Sequence, residues 1–104
     1  MFKKFLQEKR EYRKFRKRIN ELPDEHKKAM IAIEKYMWMF AKGSGMFEYL
    51  KNILEMFEDS AKEGLSVRDI VGNDIAEFAD SFLAEFPEET WIDKERKKLR
   101  NSIK

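Results

Sequence analysis

Apolar residues recur at spacings of three and four along nearly the whole chain, and nowhere do they alternate with polar ones over a strand's length. The first stripe is narrow: Phe5, Tyr12 and Ile19 stand seven apart, as do Phe15 and Leu22, which predicts a heptad-like helix from Phe2 to Asn20. Pro23 fits the first turn of a second helix, where its missing N–H costs nothing. Asp24 and Glu25 suit the positive end of that helix's dipole. Met30, Ile33, Met37 and Phe40 mark its buried face, widened by Tyr36 and Trp38. Gly43-Ser44-Gly45 is expected to end it in a sharp turn.

A third helix carries Phe47, Leu50, Ile53, Leu54, Phe57 and Ala61 on one face and closes at Gly64. Ser66 and Asp69 have the capping-box spacing, with Asp in place of the usual Glu, at the start of a short helix that Gly72 breaks. Asn73 or Asp74 can cap the next helix, whose stripe is Ile75, Phe78, Ala79, Phe82, Leu83 and Phe86. Pro87-Glu88-Glu89 reads as a kink or restart before a last basic helix marked by Trp91, Ile92, Leu99 and Ile103. The expected fold is all-α, a compact bundle of five to six helices with a long basic N-terminal helix, in one helical domain over residues 1–104.

Composition narrows the class of molecule. Nine Phe, six Met, three Tyr and two Trp supply a core, although 40% of residues are charged. Cysteine is absent, which removes disulfides, thiolate nucleophiles and Cys-based metal sites. No apolar run approaches the ~20 residues of a membrane-spanning helix. Met1-Phe2-Lys3-Lys4 is not followed by the apolar region of a secretory signal, so a cytoplasmic location is expected. The net charge of +2 conceals a segregation. Residues 1–20 hold nine Lys/Arg against Glu8 and Glu11, residues 43–89 hold three basic residues against twelve acidic ones, and residues 93–104 carry +4. Basic ends and an acidic middle can attract each other within one fold or between copies.

Several segments together resemble a known family. These are Ile33-Glu34-Lys35-Tyr36-Met37-Trp38-Met39-Phe40, the Gly43-Ser44-Gly45 turn, Glu63-Gly64-Leu65-Ser66-Val67, Val71-Gly72-Asn73-Asp74-Ile75-Ala76-Glu77-Phe78, and Thr90-Trp91-Ile92-Asp93-Lys94-Glu95-Arg96-Lys97-Lys98-Leu99. The chain resembles the DUF1048 family of small bacterial proteins of unknown function, from the Lys9–Leu22 region to the C-terminus. Ala79 stands where many relatives are expected to carry Cys, and Pro87 interrupts a region expected to be continuous. The resemblance implies an all-α cytosolic protein with no assigned activity, of a kind often encoded beside PadR-type transcription regulators. The middle segment is also faintly similar to helical signalling domains that accompany such regulators.

Candidate chemistry is sparse, and no catalytic residue, metal or cofactor is assigned. His26, the one histidine, sits among lysines near a helix start and is expected to be a solvated surface residue rather than a general base. The serines have no partner visible in the sequence, and Ser66 is better explained as a cap. Gly43-Ser44-Gly45 lacks the Gly-Lys-Ser/Thr ending of a phosphate loop. Glu55, Glu58, Asp59 and Glu63 recur at helical spacing, but the di-iron pattern needs Glu-x-x-His pairs; a solvated acidic face is expected. Residues 66–86 look like helix, turn, helix, yet the second helix carries Asp74, Glu77, Asp80 and Glu85 with no Lys or Arg. Acidic groups facing a polyanion lower affinity, so this segment is not expected to read DNA.

Two surfaces are left as candidates. The first is the basic N-terminal helix, with Lys3, Lys4, Arg10, Arg13, Lys14, Lys17 and Arg18 beside Phe2, Phe5 and Leu6. It can meet an acidic protein, a nucleic-acid backbone or anionic lipid, or it can be a bundle helix whose charge complements the acidic middle. Its narrow apolar stripe can also seal a homodimer. The second is an aromatic patch of Tyr36, Trp38, Phe40 and Phe47, which serves as a ligand pocket, a partner surface or ordinary core. The function expected is a non-enzymatic helical interaction protein, partnering a PadR-type regulator or itself. The alternative is a nucleic-acid or anionic-surface binder acting through the basic helix.

Overall fold

The computed structural model describes residues 2–40, 44–85 and 91–103, with side chains described over 6–40, 45–85 and 94–103. It contains α1 (Phe2–Asn20), α2 (Asp24–Trp38), α3 (Ser44–Lys62), α4 (Val67–Val71), α5 (Ile75–Glu85) and α6 (Trp91–Asn101), with no strand among the described residues. The all-α reading therefore holds.

α2 is the hub. Helices α1, α3, α4 and α5 all pack on it, and α4 also packs on α3. The core takes Phe15, Ile19 and Leu22 from α1 and the turn after it, Met30, Ile33 and Met37 from α2, and Ala79 from α5. α3 contributes most, through Met46, Leu50, Ile53, Leu54 and Phe57, because its apolar positions recur at every turn. Each large side chain fully removed from water contributes roughly 1.5–3 kcal/mol. Two tyrosines tether α5 to this core: Tyr36 Oη donates to Asp80 at 2.6 Å, and Tyr49 Oη donates to the Glu85 carbonyl at 2.9 Å.

Local chemistry sets the helix ends. Gly64 adopts φ +76°, its N–H donates to the Ala61 carbonyl at 3.1 Å, and Leu65 N–H donates to the Ser60 carbonyl at 2.9 Å. This paired closure satisfies the last carbonyls of α3 and calls for a residue without a Cβ at the left-handed position. Ser66 Oγ accepts from Asp69 N–H at 3.2 Å while the Asp69 carboxylate accepts from Ser66 N–H at 2.8 Å, completing the expected capping box. Asp74, rather than Asn73, caps α5, accepting from Ala76 and Glu77 N–H at 2.9 and 3.3 Å. Asn73 accepts instead from Arg68.

Three expectations are corrected. Pro23 is the N-cap of α2, not its first helical residue; its ψ of 151° is extended and the helix begins at Asp24. α2 ends at Trp38, so Met39 and Phe40 form a turn, closed by Phe40 N–H on the Met37 carbonyl at 3.1 Å. Ser44 and Gly45 are the first residues of α3 rather than a turn, and Gly43 lies outside the described residues. Pro87 and the question of a kink there also lie outside them, as do the side chains of Phe2, Phe5, Phe86, Trp91 and Ile92.

The molecule is a plate, 55 × 42 × 18 Å, with a radius of gyration of 16.0 Å. A ball-shaped domain of about 100 residues has ~13 Å. The described side chains of the first half of α1, and those of α6, are exposed, which accounts for the spread.

Candidate interaction surface

α1 is built in two halves. From Phe15 onward its stripe is buried: Phe15, Ile19 and Leu22 are all in the core. Before Phe15 every described side chain is exposed, including Leu6 and Tyr12 at 47% and 45%. The charges divide the same way. Arg10, Arg13, Lys14 and Lys17 stand exposed. Arg16 and Arg18 are turned inward to carboxylates.

The Arg16 contact is the more buried of the two. Arg16 Nη2 reaches both oxygens of Glu34 at 2.7 Å, and it also donates to Tyr12 Oη at 3.1 Å. Glu34 is only 5% exposed. A carboxylate that deep is tolerated because it is paired and hydrogen-bonded; alone it would be strongly unfavourable. Arg18 Nε donates to Glu58 Oε2 at 3.0 Å, and Nη2 closes a second contact on Oε1. That fork holds the Glu58 carboxyl below the ordinary range, chiefly through the hydrogen bond from Arg18 and then through the charges of Arg18 and Lys62. Arg18 is thus removed from the set of free basic contacts and ties α1 to α3. Lys3 and Lys4 lie outside the described side chains.

The aromatic candidates fall into separate ring contacts. Tyr36 and Phe40 meet edge-to-face at 4.9 Å, on the side of α2 where Tyr36 reaches Asp80 of α5. Phe47 packs edge-to-face on Phe15 at 5.2 Å and against Tyr12 at 6.1 Å, with Lys51 Nζ 4.9 Å from its ring centre. Tyr36, Trp38 and Phe47 are half-buried and packed on the core. Their main role among the described contacts is to extend that core toward α5 and α1.

His26 is a correction. It is buried, with Nε2 3.0 Å from the Leu65 carbonyl and its ring edge-to-face with Phe57 at 6.2 Å. Its Nδ1 is buried with no hydrogen-bond partner among the described residues. With Nε2 as the donor, the imidazole bonds α2 to the α3–α4 corner. A signal was present in the sequence: His26 continues the Met30, Ile33, Met37 stripe four residues upstream. Glu34, four residues after Met30, lies beside the same stripe, but its buried position depends on Arg16, eighteen residues away.

Of the acidic run along α3 and the turn after it, Glu58 pairs with Arg18 while Glu55, Asp59 and Glu63 are exposed. No group of three or more potential metal ligands occurs among the described residues. No helix among them is long and apolar enough to cross a membrane.

Comparison with known proteins places this arrangement. No curated protein matches the chain. A crystal structure at 2.05 Å of a DUF1048 protein with a left-handed superhelix fold, from Bacillus cereus ATCC 10987, is 34% identical, with a TM-score of 0.62. The match covers 68% of this chain and 90% of that one. The model of the family described as "Protein of unknown function (DUF1048)" matches residues 3–104, and this chain belongs to that family.

Proposed function

We propose that the chain is a non-enzymatic helical interaction protein whose partner docks on the first half of α1. One observation carries this reading: Leu6 and Tyr12 are exposed beside exposed Arg10, Arg13, Lys14 and Lys17, while the second half of the same helix is buried. Exposed apolar side chains set among polar ones are the usual make-up of a docking surface, and over residues 6–20 the Lys and Arg outnumber Glu8 and Glu11. The basic excess favours an acidic protein surface, and the resemblance to proteins encoded beside PadR-type transcription regulators makes such a regulator the partner we propose.

The experiment is affinity purification of the tagged chain from its own host, beside a variant with Arg10, Arg13, Lys14 and Lys17 changed to Glu. A regulator recovered in fixed stoichiometry with the wild type and lost with the variant is the expected result. Recovery that the variant leaves unchanged removes α1 as the contact. The same four exposed cations favour a second reading, binding to a nucleic-acid backbone or another anionic surface. Its mark is binding that falls steeply with salt, as counterions are released at each neutralised phosphate. Protein docking through Leu6 and Tyr12 falls less steeply.

A further inference from the structure

The seam between α2 and α5 holds an apolar notch of about 140 Å³, lined by Ala32, Ile33, Tyr36, Ile75, Ala76 and Ala79. Tyr36 walls one side and is fixed there by its bond to Asp80. Ala32, Ile75 and Ala76 are exposed, so the notch opens to solvent. An apolar cavity of ~150 Å³ can hold a molecule of benzene, so a notch this size suits one branched aliphatic side chain.

α6 and the turn after it carry such side chains with nothing over them. Leu99 on α6 is 73% exposed, and Ile103, in the turn after it, is 90% exposed. The charges also fit. α5 carries Glu77, Asp80 and Glu85 with no Lys or Arg, and Asp80 stands at the notch through its bond to Tyr36, whereas α6 carries Lys94, Arg96, Lys97, Lys98 and Arg100. An acidic α5 and a basic α6 are complementary in charge.

We propose that α6 of one copy seats Leu99 in the α2–α5 notch of a second copy, which returns the same contact and closes a two-fold dimer. In a single chain both Leu99 and the notch stay open to water. Reciprocal exchange covers both in each copy and leaves no free end for further growth. This contact is separate from α1 and stands or falls independently of the function proposed above.

The native chain has no cysteine, which permits a clean crosslinking test. Full-length Leu99→Cys and Ala76→Cys chains, carrying tags of different mass, are mixed and mildly oxidised. The expected product is a disulfide-linked pair of unlike chains, well above the yield from Leu99→Cys mixed with Asn52→Cys on the outer face of α3. Equal yields from the two mixtures overturn the proposal. So does a double Leu99→Cys, Ala76→Cys chain that crosslinks only within itself, since α6 then occupies its own notch. Leu99→Lys supplies a second measurement, because an exposed side chain can be changed without unfolding the monomer. Sedimentation should show the dimer dissociation constant raised tenfold or more, with helicity unchanged. An unchanged constant also overturns the proposal.

Discussion

The two halves of α1 share one helix, one basic composition and one apolar spacing, yet only the second half enters the core, with Tyr12 of the first half touching its edge at Phe15 and Phe47. The difference lies in what faces them. Phe15, Ile19 and Leu22 meet the continuous apolar faces of α2 and α3, and Arg16 and Arg18 meet Glu34 and Glu58. Leu6, Arg10, Arg13 and Lys14 remain exposed. An amphipathic pattern states that a helix has a face to bury. A partner element decides whether that face is buried, and which cations become structural and which stay available for binding.

Truncating the core side sharpens this contrast most. Phe15→Ala should cost about 3–5 kcal/mol, the range for removing a buried aromatic. Leu6→Ala should stay within roughly 0.5 kcal/mol, as for an exposed position. Urea unfolding of both variants checks it, and similar losses would erase the distinction between the halves. Next in size is Arg16→Ala, which strands the Glu34 carboxylate. A cost of about 2–3 kcal/mol is expected, with part of it recovered by adding Glu34→Gln. A double-mutant cycle that shows simple additivity would mean the pair is not coupled.

Away from α1, Ser66→Ala removes the cap of α4 and should cost about 1 kcal/mol, measured as a fall in thermal midpoint. The Arg18–Glu58 tie gives a smaller effect with a definite sign. Because the fork lowers the folded carboxyl below its ordinary position, its stabilisation is present above the usual carboxylate range near ~4.3. It is lost as pH falls through the lowered folded value. The pair is partly solvated, so the loss should be no more than about 1 kcal/mol, and Glu58→Gln should flatten that part of the acid limb. Smallest for stability is the change of Arg10, Arg13, Lys14 and Lys17 to Glu. Chemical unfolding should move by less than about 0.5 kcal/mol per site while partner recovery is lost.

Much of the fold was legible because its signals are local. The capping box at Ser66 and Asp69, the glycine closure at Gly64 and the stripes of α2 and α3 all arise within a few residues of chain. The end of α2 was less so: Phe40 keeps the helical spacing, yet the helix stops at Trp38 before the glycines. For the candidate surface, the basic residues were visible but their allocation was not. Arg18 reads like Lys17 in the sequence, and only Glu58, forty residues on, separates them. His26 looked solvated because its neighbours Lys27 and Lys28 are charged, although its register with Met30 already aimed it inward.

The sequence by itself determined the all-α class, the extent of α1, the cap of α4 and most of the core, since helical periodicity and capping depend on residues within a turn or two of one another. Tertiary structure alone decided which half of α1 is covered, that Glu34 is a buried and paired carboxylate, that His26 bonds the corner at Leu65, and that a notch opens between α2 and α5. Each of these depends on helices distant in the chain being brought side by side. Burial and pairing belong to the contact between two surfaces, and a single helix's pattern describes only one of them.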